Sequence, residues 1–196
     1  MGLLIGAAGP HVDSAVHERR SFSANDTISA RMLNHTDLAF RTALPNDLER
    51  MHGIRRAAIL GVQADLEPRA REAWANRRRP DSFVGRVVGG EVIIASLAGE
   101  DVGWGSSGAD HISALYVSAA YARRGVGRAL LTKLEAAVAQ RGYELVRLES
   151  SVNAVSFYER LGYVQSGSLR VDGSLPMVKR LPGPAREPTT PTSSSG

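Results

Sequence analysis

The chain has no cysteine, which excludes disulfides, thiolate metal sites and a cysteine nucleophile and is compatible with a reducing compartment. Aromatic residues make up only 6% of the sequence and are not interleaved with its basic runs, so it carries no stacking platform for nucleic acid. No apolar run approaches the roughly 18 residues that a membrane-spanning helix needs. The apolar opening, Met1 to Gly9, has no basic segment before it and no convincing cleavage site, and Gly6 stands where an N-myristoylation signal wants Ser or Thr. The histidines show no metal-ligand spacing. An excess of one charge sign is also missing. Lys and Arg number 24 against 20 Asp and Glu, a formal net charge of +4, which suits an anionic ligand but is too small to argue for nucleic acid. These absences predict a cytoplasmic protein that uses no metal and binds neither membrane nor nucleic acid.

What is present is enough for a core. The chain has 196 residues and 43% hydrophobic content, which fits one domain with extensions. Residues 1–35 have no sustained hydrophobic period and read as a disordered leader, with Met32 as an alternative start. Residues 183–196 are rich in Pro, Thr and Ser and read as a disordered tail. Between them, residues 36–182 form the expected domain.

Within that span the pattern alternates. Leu38 to Thr42 is a strand candidate, and Pro45-Asn46-Asp47 opens a helix whose apolar positions are Leu48, Met51, Ile54, Ala58 and Ile59. A second helix is expected near residues 67–78 with Ala70, Ala73 and Trp74 on one face, then one or two helical turns over 81–88. Residues 91–106 read as a hairpin around Ala98-Gly99-Glu100-Asp101. His111 to Val117 follows as a strand, and Val126, Leu130, Leu134, Ala137 and Val138 recur at helical spacing up to Gly142. Then come a strand at 145–151, a short helix at 153–161, and two strands, 163–171 and 175–181, around Asp172-Gly173. The fold class is α/β (α+β).

The densest chemistry lies between the fourth strand-like run and the long helix. Arg123, Arg124, Gly125, Val126, Gly127 and Arg128 precede or open that helix. A helix's first amides have no intrahelical partner and carry partial positive charge. Glycines let a ligand approach the backbone, and three arginines add cationic groups, which is a plausible composition for a phosphate or pyrophosphate site. The same residues also suit an ordinary loop with solvated arginines. There is no Gly-Lys-Ser/Thr as in a Walker loop, and the spacing is not that of a dinucleotide fingerprint.

The order strand, polar loop, Gly-x-Gly, amphipathic helix, strand and then Asn153-Ala154-Val155-Ser156-Phe157-Tyr158 resembles the GNAT superfamily, the acyl-CoA-dependent N-acetyltransferases. The resemblance covers roughly residues 36–182 and is densest from 111 to 164. Its ends look most like one branch of small bacterial-type members. It implies a mixed, mostly antiparallel sheet of about seven strands with helices on both faces, and acetyl-CoA as co-substrate. The family's loop, Arg/Gln-x-x-Gly-x-Gly/Ala, falls on Ala122 to Gly127, with Ala122 departing from its first position. The resemblance further implies that Leu115, Tyr116 and Val117 pair with the pantetheine arm, that the Val117 amide holds the oxyanion, that Asn153 lies near the cofactor, and that Tyr158 protonates the departing sulfur. For Asn153 a helix cap is the competing role, and for Tyr158 plain packing.

A general base is less defined. In histone-type members a glutamate sits six residues before the strand's last valine, and counting back from Val117 gives His111. Histidine titrates near neutrality, as a base should. Asp110 and Glu149 are the alternatives, as is no dedicated base. Trp74, Trp104 and Tyr116 are candidates to line the acceptor pocket. The acceptor is an amine of a small molecule or a protein. A homodimer is compatible with the family, and the competing function is a non-catalytic acyl-CoA-binding regulatory module.

Overall fold

Ala98 and Gly99 both lie in the left-handed region, with φ of 52° and 84°, the conformations that a tight two-residue hairpin turn requires. The hairpin is therefore tighter than the four-residue turn expected from sequence, and Glu100 and Asp101 already belong to the returning strand. It sits in a seven-stranded sheet. The computed structural model describes residues 38–62, 67–76 and 80–182. The strands are β1 (Leu38–Thr42), β2 (Val92–Leu97), β3 (Glu100–Gly108), β4 (His111–Val117), β5 (Leu145–Ser151), β6 (Val164–Gln165) and β7 (Ser174–Arg180). The helices are α1 (Leu48–Val62), α2 (Pro68–Asn76), α3 (Val84–Val88), α4 (Val126–Gln140) and α5 (Val155–Glu159). The expected leader and tail lie outside the described residues, as do Arg77 to Arg79.

The sheet order is β1-β2-β3-β4-β5-β7-β6. Every pair is antiparallel except β4 with β5, which α4 joins as the crossover that a parallel pair needs. Alternating side chains feed two cores. On one face, Met51, Ile54, Ala58 and Ile59 of α1 pack with Ile94, Trp104, Ala114 and Tyr116. On the other, Val126, Leu130, Leu134 and Val138 of α4 pack with Ala95, Leu115, Val117 and Leu148. Pro45 opens the turn before α1, and the Asp47 carboxylate accepts the Leu44 N–H at 2.8 Å and the Arg41 guanidinium at 2.6 Å. The helix start is thereby tied to the edge strand.

Two expectations need correction. The run 163–171 is a strand only at Val164–Gln165, because the chain then loops away before the Asp172-Gly173 turn. On α2 the residue that enters the core is Ala75, while Ala73 is exposed and Trp74 half-buried. Trp74 still packs against that core, so the expected face holds at Trp74 and fails at Ala73.

One irregularity sets the phase of the site. Ile112 pairs with Ser107 and Ala114 with Ser106, so Ser113 is an extra residue on β4. Such a bulge shifts the alternation by one. Ile112 accordingly joins the α4-side core while Ala114, two residues on, joins the α1 side.

The end of α1 also touches the chain leaving β4. A β-carbon on Gly61 would overlap that of Ala119. Gly61→Ala should therefore cost about 1–3 kcal/mol by overpacking, read from chemical denaturation, and Ala119→Gly in the same chain should restore most of it. No rescue by the second change would mean that the contact is not what limits position 61.

Candidate active site

After Val117 the chain makes one 3₁₀ turn, Ala119–Tyr121, and then bends at Arg123, a non-glycine residue with φ of 63°. Gly125, with φ of 80°, is the N-cap of α4 and provides no side-chain cap. The Ala129 N–H reaches the Gly125 carbonyl at 3.0 Å, so the amides of residues 125–128 are the helix's open donors. Arg123, Arg124 and Arg128 are exposed, and none has a carboxylate partner among the described residues. The Arg124 guanidinium lies over the Tyr121 ring at 5.3 Å, and the Tyr121 phenol donates to Glu100 at 2.6 Å. Fifteen residues of helix, open amides and three unpaired guanidinium groups make a cradle for an anion. A pyrophosphate fits it chemically. Ala122 adds no polar group there.

Beside this loop the sheet divides. β4 and β5 pair at His111 with Arg147 and at Ile112 with Leu148, and the described pairing stops there. β3 stays attached to the rest of β4. The Ser118 N–H donates to the Val102 carbonyl at 2.9 Å, and in an antiparallel ladder alternate residues face the partner. Tyr116 therefore directs its N–H and C=O toward Trp104 of β3, whereas Leu115 and Val117 direct theirs into the widening gap. Of Leu115, Tyr116 and Val117, two, Leu115 and Val117, thus present backbone to the gap. The Ser113 bulge sets which of them these are.

Tyr158 lies in the α4-side core with no exposed surface, between the ring edges of Phe157 at 5.1 Å and Tyr163 at 5.5 Å. Its hydroxyl has no hydrogen-bond partner among the described residues. Burial foremost, and then the nearby Tyr116 phenol, pushes its pKa well above the usual tyrosine value. An unperturbed phenol titrates near 10; the buried one is held protonated beyond that. It is a hydrogen-bond donor kept in reserve rather than a readily ionised acid.

Asn153 is exposed, in the 3₁₀ turn Val152–Ala154. The caps of that turn and of α5 are Ser151 and Ala154, without side-chain capping bonds, so Asn153 caps neither element.

His111 is half-buried at the start of β4, where the two parallel strands still touch. Burial lowers its pKa, Arg86 and Arg170 act in the same direction, and Glu149 opposes them. The imidazole is therefore neutral near pH 7, as a base must be. Asp110 is ion-paired with Arg147, and Glu149 with Arg170, which makes both alternatives poorer bases.

Among the aromatic candidates, Trp104 is fully buried. Its indole N–H donates to the Met51 carbonyl at 2.7 Å, and Phe83 meets it edge-on at 5.0 Å. It anchors α1 to the sheet and does not line a pocket. Trp74 is half-buried, and Tyr116 faces the α1 side. Sequence reasoning missed Arg55, which is 2% exposed and lies 5.7 Å from the Tyr116 ring centre. The signal was there, since Arg55 continues the i, i+4 stripe of Met51 and Ile59. Among the described residues no cluster of three His, Asp or Glu is placed to hold a metal ion, and no helix is long and apolar enough to cross a membrane.

Residues 62–180 match the model of a family described as acetyltransferase (GNAT) domain. Among solved structures, a GCN5-related N-acetyltransferase from Rhodopseudomonas palustris shares 34% identity over 73% of this chain and 95% of its own, with a TM-score of 0.66. The PaiA N-acetyltransferase of Thermoplasma acidophilum, solved with coenzyme A, superposes with a TM-score of 0.64 at 18% identity, covering 74% of this chain and 99% of its own. The ribosomal-protein-S18-alanine N-acetyltransferase of Escherichia coli gives 0.55 at 20% identity, over 76% and 97%. No curated protein matches the sequence.

Proposed function

The chain belongs to the GNAT superfamily and is an acyltransferase, and on that premise we propose that it transfers the acetyl group of acetyl-CoA to a primary amine, of a small molecule or a protein, by direct attack in a ternary complex in the cytoplasm. The observation that carries this reading is the open N-terminus of α4 with Arg123, Arg124 and Arg128 around it, beside the gap between β4 and β5. The amides of Gly125, Val126, Gly127 and Arg128 hold the CoA pyrophosphate. The inward amides of Leu115 and Val117 receive the pantetheine arm and the carbonyl oxygen, and the exposed Asn153 amide contacts the cofactor.

The neutral amine attacks the thioester carbon. A C–N bond forms, negative charge moves to the oxygen, and the Val117 N–H, already aimed into the gap, stabilises it. The C–S bond then breaks. The nitrogen gives up a proton, with His111, at the other end of β4, the acceptor through a relay of water, and the thiolate is stabilised by the Tyr158 hydroxyl. Holding both reactants in one gap supplies about 7–11 kcal/mol of the barrier.

Calorimetry should show acetyl-CoA binding at micromolar Kd, and steady-state rates with both substrates varied should give intersecting lines. Parallel lines would overturn direct attack, and binding without turnover on any amine would leave a regulatory module. Because burial depresses the His111 pKa, kcat/KM expressed per neutral amine should hold down to about pH 6.5 and fall only below it, and His111→Gln should remove that limb. For the same reason the His111 contribution to stability is present above about pH 6.5 and lost as pH falls.

A further inference from the structure

Arg55 is a buried cation with no carboxylate partner among the described residues. Its Nη1 donates to the Ala75 carbonyl at 2.7 Å and its Nη2 to the Trp74 carbonyl at 3.3 Å, at the end of α2. Its Nε is buried without an acceptor among the described residues. A guanidinium offers five N–H donors in a planar fork suited to a carboxylate, and here two are used. The Tyr116 ring covers one face, which leaves the Nε edge as the unsatisfied part. Helix-end carbonyls and a ring offset part of the charge, but burying an ion without a counter-ion stays costly.

Tyr116 links this cation to the chemistry. It lies on β4 between Leu115 and Val117, whose amides face the gap, and its own ring points to the opposite, α1 side. A group bound at Arg55 would thus sit across β4 from the α4 core, on the α1 side. We propose that Arg55 recognises a carboxylate on the acceptor, so that the substrate class is amines bearing a carboxylate, with α-amino acids the simplest case. The proposal rests on the acetyl-transfer reading above. Arg55 is enclosed, so the acceptor must part α2 from α1 to reach it. The described ties are the two carbonyl bonds, the buried Ala75, the half-buried Trp74 and the exposed bonds of Arg56 to Glu72 and Asn76, and exposed pairs contribute little.

The test uses matched acceptors, phenylalanine with phenethylamine and tyrosine with tyramine, on the full chain. For wild type, Arg55→Lys and Arg55→Gln, kcat/KM is measured for each member and the acetyl-CoA Kd is measured separately. The intrinsic basicity of each amine cancels when ratios are compared between variants. The preference for the carboxylated member should fall by at least about tenfold in Arg55→Gln and by less in Arg55→Lys, with the acetyl-CoA Kd unchanged. A purely structural arginine would lower both rates together and leave the ratio alone, and that result overturns the proposal. If Arg55→Gln does not fold, Arg55→Lys decides by the same ratio. Acetyl-CoA binding with neither member turned over, or with the ratio unmoved, sinks this proposal alone. A wild type that does not bind acetyl-CoA sinks the acetyl-transfer reading and this proposal with it.

Discussion

Replacing Gly127 with glutamate should weaken acetyl-CoA binding by about 100-fold or more while leaving the fold intact. The two halves of that expectation share one physical origin. Gly127 is the second residue of α4, where the helix dipole favours a negative side chain, so glutamate should do no harm to the helix and can even favour it. The carboxylate is nevertheless placed among the open amides of residues 125–128 and the unpaired Arg123, Arg124 and Arg128, where the pyrophosphate is expected to lie. It competes for the same donors and repels the ligand. Gly127→Gln separates size from charge, because it adds nearly the same volume without the anion and should bind between the two. Calorimetry with a parallel melting curve measures both. Undiminished affinity in the glutamate variant would mean that the loop does not hold CoA, whatever else the chain does.

That loop was the most legible part of the sequence, for a physical reason. A helix N-terminus is a local structure, set by the 3.6-residue stripe from Val126 to Val138 and by the glycine just before it, so neighbouring residues suffice to reveal it. The Ala98-Gly99 hairpin was legible on the same grounds. The gap between β4 and β5 was not. It depends on where a parallel pairing stops, at Ile112 with Leu148, and nothing within β4 announces the end of a contact with a strand more than thirty residues away. The bulge at Ser113 was hidden as well, because an extra residue exists only relative to the partner strand. That hidden step decides which of Leu115, Tyr116 and Val117 faces the gap. Short β6 illustrates the same limit, since a β-rich run becomes strand only as far as β7 accompanies it. Arg55 failed for another reason: a charged residue in an apolar stripe reads as surface until its burial is seen.

Tyr158→Phe should make the protein more stable and a worse enzyme. The hydroxyl is buried with no partner among the described residues, and an unsatisfied buried donor costs about 1–3 kcal/mol. Its removal leaves the ring packed between Phe157 and Tyr163 and should raise the unfolding free energy by up to that amount. If the same hydroxyl serves the departing thiolate, kcat should fall about 100-fold, while the acetyl-CoA Kd stays near the wild-type value. The direction of the pKa shift sharpens the role. A thiol titrates near 8.5, and burial puts the phenol well above its ordinary 10, so full proton transfer to the thiolate would run uphill. The hydroxyl then acts by donating a hydrogen bond, and no alkaline limb from Tyr158 should appear in kcat up to about pH 10. The linkage runs the same way. The unfolded phenol ionises near pH 10 and the folded one does not, so the Tyr158 contribution to stability is complete below about pH 10 and lost above it, and this alkaline loss should be smaller in Tyr158→Phe. A variant that gains stability with kcat unchanged would make Tyr158 a packing residue and leave thiolate stabilisation to solvent or another donor. Loss of both stability and kcat would place the hydroxyl in a structural hydrogen bond instead.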